Sequence, residues 1–172
     1  MIAGPERSEA AEYYFTYIDK VPAGDIRQVL ADQAGDTLTL LRAVSDERSL
    51  HRYAPGKWSI REVVSHINDA ERVFSFRAFW FARGFDVPMP SYDQDAGMPF
   101  AKADERSWDS HLDEFAAIRA ASVALFDSLP DAAWDRRGIA SDNPVSVRAL
   151  AYICAGHVAH HVGILSERYL KS

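Results

Sequence analysis

The stretch WSIREVVSHINDAERVFSFRAFWFARG, Trp58 to Gly84, decides the fold. Ser59 precedes Ile60, and Glu62 stands at the third helical position. That is a capping box, in which the serine hydroxyl and the glutamate each satisfy a backbone N–H at the start of a helix. Trp58 and Val63 occupy the two positions of a hydrophobic staple beside it. Gly84 supplies the left-handed stop. The helix so delimited runs from Ile60 to Arg83, roughly 36 Å at 1.5 Å per residue.

Working outward, YAPGK (Tyr53 to Lys57) separates this helix from an earlier periodic segment. That segment runs from about Ile26 to Val44, with Ile26, Val29, Leu30, Ala34, Leu38, Leu41 and Val44 on one stripe. Asp25 with Gln28 three residues on is placed to cap it. Downstream, a third helix is expected from about Glu105 to Leu129, on a stripe of Trp108, Leu112, Phe115, Arg119, Ser122, Phe126 and Leu129. Pro130 ends it. A fourth is expected from about Val147 to Tyr169, with Leu150, Ile153, Cys154, His157, His161, Ile164 and Leu165 inward. A short helix over about Glu6 to Asp19 precedes the four. The segments from Gly84 to Phe100 and from Arg136 to Val145 carry the Pro and Gly of loops, and no period-two strand is read. Four long helices with one inward stripe each imply an all-α, up-down-type four-helix bundle, a single domain over residues 1–172.

Composition narrows the function. The chain has 172 residues, 48% of them hydrophobic, and a net charge of −6. The acidic balance argues against a nucleic-acid surface, which shows a basic patch or stripe. Cys154 is the single cysteine, so no intramolecular disulfide forms and a reducing compartment is expected. The first residues show no basic start followed by an apolar run, and no apolar stretch approaches the ~20 residues of a membrane span. The expectation is a cytoplasmic protein with no membrane or nucleic-acid partner.

GHVAHHVGIL, Gly156 to Leu165, holds half of the six histidines. At about 100° per residue, His157 and His161 lie about 40° apart, on the inward stripe of the fourth helix. His160 lies on the other side, toward the stripe's edge; it is expected to meet a carboxylate or an interface. Two buried imidazoles one turn apart each need a partner, and neutral imidazole is a good ligand for Zn, Ni, Cu and Fe. Zinc proteases use an H-x-x-x-H pair, but with Glu directly after the first His. Val158 stands there. His66, on the mostly inward face of the second long helix, supplies a third imidazole. Three protein nitrogens plus an open position are the pattern of a reactive metal site, whereas a structural site is closed by four ligands. Cys154, one turn before His157, is a further ligand to test against packing. His51 and His111 are expected at the surface or flank.

Arg77 and Arg119 fall on inward stripes among apolar neighbours. A guanidinium there must be paired or face a polar cavity. Each therefore has two readings: a site for a substrate carboxylate, or a structural role as an ion pair with Glu71 or Asp69 or as a stem that snorkels to the surface. Asp69 and Glu71 are alternatively acceptors for the outer N–H of a metal-bound imidazole. Glu62 is explained by its cap. The long loop of about 17 residues exceeds the usual helix–helix connection, and Tyr92, Asp93 and Asp95 are placed to line a site mouth.

With these residues in view, YAPGKWSIREVVSHINDAERVFSFRAFWFARG, the Asp/Pro-rich loop and GHVAHHVGILSERYL together resemble the DinB/YfiT-like superfamily, in its metal-binding four-helix-bundle branch. The resemblance spans EAAEYYFTYI to ERYL, nearly the whole chain. It implies a homodimeric helical bundle holding one divalent metal through His66, His157 and His161, with zinc or nickel first and iron or manganese as alternatives. It also implies chemistry of two kinds: thiol S-transfer, joining a low-molecular-weight thiol such as bacillithiol to a small electrophile, and thiol-dependent isomerisation. A metal-dependent transferase or hydrolase, with a thiol or water activated at the ion, is the leading expectation. A non-catalytic metal-binding stress or ligand-sensing module is the alternative. No G-x-S-x-G, P-loop or G-x-G-x-x-G motif competes, and the carboxylates of a di-iron bundle are missing around His157.

Overall fold

In the computed structural model, which describes residues 1–171, four long helices form the bundle. They are α2 (Ile26–Arg42), α3 (Ile60–Ala82), α5 (Trp108–Asp127) and α6 (Val147–Ile164). Their ends follow local chemistry. Ser59 accepts from the Glu62 N–H and Glu62 accepts from the Ser59 N–H, the reciprocal box read from the sequence. Gly84 takes φ +82° just beyond α3. Ser107 and Ser146 cap α5 and α6 through Ser110 and Ala149. Asp25 caps α2 through the Arg27 N–H, while Gln28 turns to Asp32. A π-helical turn, Leu165–Tyr169, prolongs α6.

Around the bundle α2 packs on α5, α5 on α3, α3 on α6 and α6 on α2. The consecutive helices α2 and α3 therefore stand across the diagonal. The interior comes in three layers. One apolar cluster holds Ile26 and Leu30 of α2, Phe81 of α3, Phe126 of α5 and Leu150 and Ile153 of α6. The other holds Leu41, Ile60, Val64, Ile67, Trp108, Phe115 and Val158. Between them the same helices bury Thr37, His66, Asn68, Glu71, Arg119, Ser122 and His157. This polar belt crosses the whole bundle, and the functional residues lie in it.

α6 is buried on every side from Ala149 to Val158. With its π turn it forms a 23-residue helix whose most apolar 18-residue window has a mean hydropathy of 1.2, long and apolar enough by composition to cross a membrane. His and Gly interrupt its apolar run. Its most apolar window is 61% buried within the protein, which is the pattern of a central core helix.

Three segments depart from the sequence reading. The opening segment is not one helix. It is two 3-10 turns, Arg7–Glu9 and Glu12–Tyr14, followed by the four-residue α1 (Phe15–Ile18). The break at extended Ala10 lets Glu9 accept from Ser146 Oγ (2.7 Å) and Arg148 Nη1 (3.1 Å), so tertiary bonds override helical propensity. The loop after α3 contains α4 (Gln94–Ala101), capped by Asp93 through the Ala96 N–H. The loop after α5 contains a hairpin, β1 (Arg137–Ala140) with β2 (Asn143–Ser146). Its two-residue turn is Ser141-Asp142, with φ of 52° and 61°. Such a turn normally signals itself by Asn-Gly or Asp-Gly, and four-residue strands show little alternation. Met89 N–H and C=O bond to Ile139 and Ser141, which ties the long loop to the hairpin edge.

α1 lies against α6 at Gly156. A Cβ built there would overlap the Tyr17 carbonyl. The glycine thus brings α1 to the helix turn that carries His157. Gly156→Ala is expected to cost about 1–3 kcal/mol by overpacking. Urea unfolding measures this; an unchanged midpoint would mean that α1 does not rest on this residue.

Candidate metal centre

The structure brings His66 of α3 together with His157 and His161 of α6. The ligand atoms of all three lie within 4.8 Å of one another. His157 Nε2 is 3.0 Å from His66 Nε2 and 3.1 Å from His161 Nε2. Val63 and Ile67 pack in the core on either side of His66, which fixes the rotation of α3. His66 and His157 are buried, and His161 is partly exposed at the edge of the belt.

Three converging Nε2 atoms pose a bonding problem. A ring nitrogen carries either one proton or one lone pair. His157 Nε2 therefore cannot make a full N–H···N bond with both neighbours. A shared cation removes the conflict, because each nitrogen then points a lone pair at it. The spacing fits that use: two nitrogens at zinc-bond length in a tetrahedral site stand about 3.3 Å apart. The donor set, three neutral imidazoles, suits a divalent transition metal. Burial keeps them neutral. It depresses His66 to about 4, with His160 adding to the effect, and His161 to about 3, with His66 and His160 adding. His157 is pushed well down by burial, then by the neighbouring imidazoles.

The acceptors expected behind these rings are engaged elsewhere. Glu71 pairs with Arg119, and Asp69 pairs with Arg72. Among the described residues His66 Nδ1 is buried without a partner. Aromatic contacts hold the rings instead. Trp58 lies 5.2 Å from His66, while Tyr17 and Phe74 stand edge-on to His157 at 5.3 and 5.7 Å. Tyr17 and Phe74 were not singled out from sequence. For Tyr17 the only signal is YYFTY at residues 13–17, where the chain is too short for periodicity to be read; Phe74 lies in α3, about 80° around the helix from His66.

Two cavities open at the cluster. One, of about 160 Å³, is lined by His66, His157, Tyr17, Phe74, Arg77 and Tyr92, among others. The second, of about 270 Å³, is lined by His161, Trp58, Lys57, Asp95 and Tyr169, among others. Gln94, the first residue of α4, lines both. Tyr92 and Asp95 of the long loop thus reach the site, while Asp93 caps α4.

The remaining candidates separate. Cys154 is not in the cluster; it is 1% exposed in the apolar layer, and burial pushes its thiol well up. His111 is not a surface residue. It is fully buried one residue before Leu112, where Ala103 folds onto α5 and its carbonyl meets His111 Nε2 at 2.9 Å. His51 is half-buried, edge-on to Tyr169. His160 faces Tyr17 at 5.2 Å and makes no ion pair among the described residues. Arg119 takes the structural alternative, donating Nε and Nη2 to both oxygens of Glu71 at 2.8 and 2.7 Å. Arg77 pairs with neither Glu71 nor Asp69; its Nη2 donates to the Pro90 carbonyl (2.6 Å) and to Ser141 Oγ (3.1 Å).

Fold and site together define a helical bundle with a three-histidine cluster of metal-ligating type in its polar belt. The family model described as DinB superfamily matches residues 29–165. The chain belongs to that superfamily. Among solved structures it is similar to YfiT from Bacillus subtilis, described as a probable metal-dependent hydrolase with an unusual four-helix bundle topology. The TM-score is 0.70 at 19% identity, over 96% of this chain and 90% of YfiT. It is also similar to a mycothiol-dependent maleylpyruvate isomerase, with TM-score 0.69 at 12% identity, over 84% of this chain and 61% of that one. At these identities the likeness is one of fold. No curated protein matches the chain in sequence.

Proposed function

We propose that this protein is a divalent-metal-dependent enzyme, with His66, His157 and His161 as the ligands and zinc or nickel as the ion, ahead of iron or manganese. The observation that carries the reading is the convergence of three neutral imidazoles at the mouths of two cavities. A divalent ion so placed supplies Lewis acidity, lowering the pKa of a water or thiol bound to it. The descriptions of YfiT as a probable metal-dependent hydrolase and of the isomerase as mycothiol-dependent support hydrolysis or a thiol-dependent reaction, for which thiol transfer is our reading.

The chain's own groups then have assignable roles. The depressed histidines keep their lone pairs free at neutral pH. Tyr17, Phe74 and Trp58 wall the cluster with aromatic edges and limit water. The Tyr17 phenol, raised by burial and by its 2.6 Å bond to Tyr13, stays protonated at the wall of the cluster. The two cavities give separate room for a small thiol and a small electrophile. We place the protein in the cytoplasm, as a homodimer, in keeping with its one buried, unpaired cysteine and with the family resemblance.

The test uses untagged protein and a panel of low-molecular-weight thiols against epoxides, haloalkanes and simple esters. Metal-dependent product formation is the expected result. Bound metal without turnover across the panel would favour a sensing or storage module, and no bound metal would leave a helical scaffold.

A further inference from the structure

Three arginines are buried among the described residues: Arg61, Arg77 and Arg119, at 5%, 3% and 1% exposure. Arg61 pairs with Asp46 and Arg119 with Glu71. Arg77 makes no ion pair among the described residues. Its Nη2 bonds to a carbonyl and a hydroxyl, both neutral, and no acceptor meets Nε or Nη1. A guanidinium does not lose its proton in a protein. Burying it without a counter-charge is therefore costly, and something must compensate.

Arg77 lies on the wall of the cavity that also exposes His66 and His157. It stands eleven residues after His66, three turns along α3 and on the same face. Helical side chains lean toward the N-terminus, so it reaches back toward the cluster. Among the described residues no Asp or Glu lines this cavity; its other polar groups are phenols, a serine and an amide. The walls between Arg77 and the histidines are apolar, with Ala70, Val73 and Phe74. At about 160 Å³ the space is smaller than the roughly 300–1,000 Å³ of drug-sized sites.

We infer that Arg77 binds the carboxylate of a small aromatic or aliphatic acid, whose apolar body lies against Phe74 and whose far end meets the histidine cluster. One cation neutralises a monoanion, which favours a carboxylate over a phosphate dianion. Pro90 and Ser141 position the guanidinium by holding Nη2, which leaves the Nε and Nη1 N–H groups as separate donors to a ligand carboxylate. The inference rests on the cluster being the reaction centre, and it specifies the electrophilic substrate as an acid. Arg77 is then a specificity-determining residue.

The test is calorimetric binding of benzoate and phenylacetate, against benzamide and phenylacetamide, to purified protein with its metal content measured. The acids are expected to bind on the order of 10- to 100-fold tighter than the amides, the range for a hydrogen bond to a charged group. Arg77→Met is expected to abolish the preference at unchanged metal content, and Arg77→Lys to retain part of it. Equal binding of acids and amides by the unaltered protein would overturn the inference, as would binding of neither. A preference that survives Arg77→Met would place the carboxylate on the metal and also overturn it. Should Arg77→Met not fold, the acid–amide comparison and Arg77→Lys decide. Protein that holds no metal but still prefers the acids would uphold Arg77's role while defeating the proposed function.

Discussion

His161→Ala is expected to empty the metal site. With three protein ligands, each supplies a large part of the binding, and the two imidazoles that remain, His66 and His157, are too few to hold the ion. Loss of an outer hydrogen-bond partner alone costs about 10- to 100-fold in metal affinity, so loss of a direct ligand should cost more. His161 is the best choice because it is the least buried of the three, and its truncation leaves the smallest packing defect. Elemental analysis of untagged protein should read about one ion per chain before the substitution and near zero after it. His160→Ala is the control. That ring is half-exposed, faces Tyr17 and lies outside the cluster, so metal content should hold. Full metal retention in His161→Ala would remove this residue from the site.

Breaking the buried Arg119–Glu71 pair should have the largest effect on stability. Both side chains are almost wholly buried, at 1% and 3% exposure. Arg119 also donates Nη1 to the Leu30 carbonyl (3.1 Å) and to Gln33 Oε1 (2.8 Å), so one guanidinium joins α2, α3 and α5. Arg119→Met would leave a carboxylate stranded in the belt, at a cost of about 3–5 kcal/mol. For a chain of this size that lowers Tm by roughly 6–20 °C, at about 2–4 °C per kcal/mol. The double substitution Arg119→Met with Glu71→Met should recover most of the loss, because an apolar replacement removes both desolvation penalties. Thermal unfolding of the three proteins distinguishes the cases. A single variant within about 1 kcal/mol of the parent would show that the pair is not the keystone the geometry implies.

Much of this was legible in advance, and the reason is locality. A capping box, a stop glycine and a 3.6-residue period each depend on residues within a turn or two of one another. Hence α3 begins after Ser59 and closes at Gly84 as the local signals require. Every member of the α5 stripe from Trp108 to Leu129 is buried. The same local rule puts His157 and His161 on one face. It failed where short elements take their form from partners distant in the chain: α4, the Arg137–Ser146 hairpin and the opening turns around Glu9.

The sequence by itself determined the four long helices, their inward stripes and the pairing of two imidazoles one turn apart. Only the tertiary structure decided that α3 meets α6 at the height that sets His66 against that pair. Only it decided that two arginines on equivalent stripes meet different fates, Arg119 against a carboxylate and Arg77 against a cavity. Angular position around one helix follows from about 100° per residue within that helix. Axial register between two helices is set by how the side chains of both, and of the segments packed around them, interlock, and no single segment carries that information.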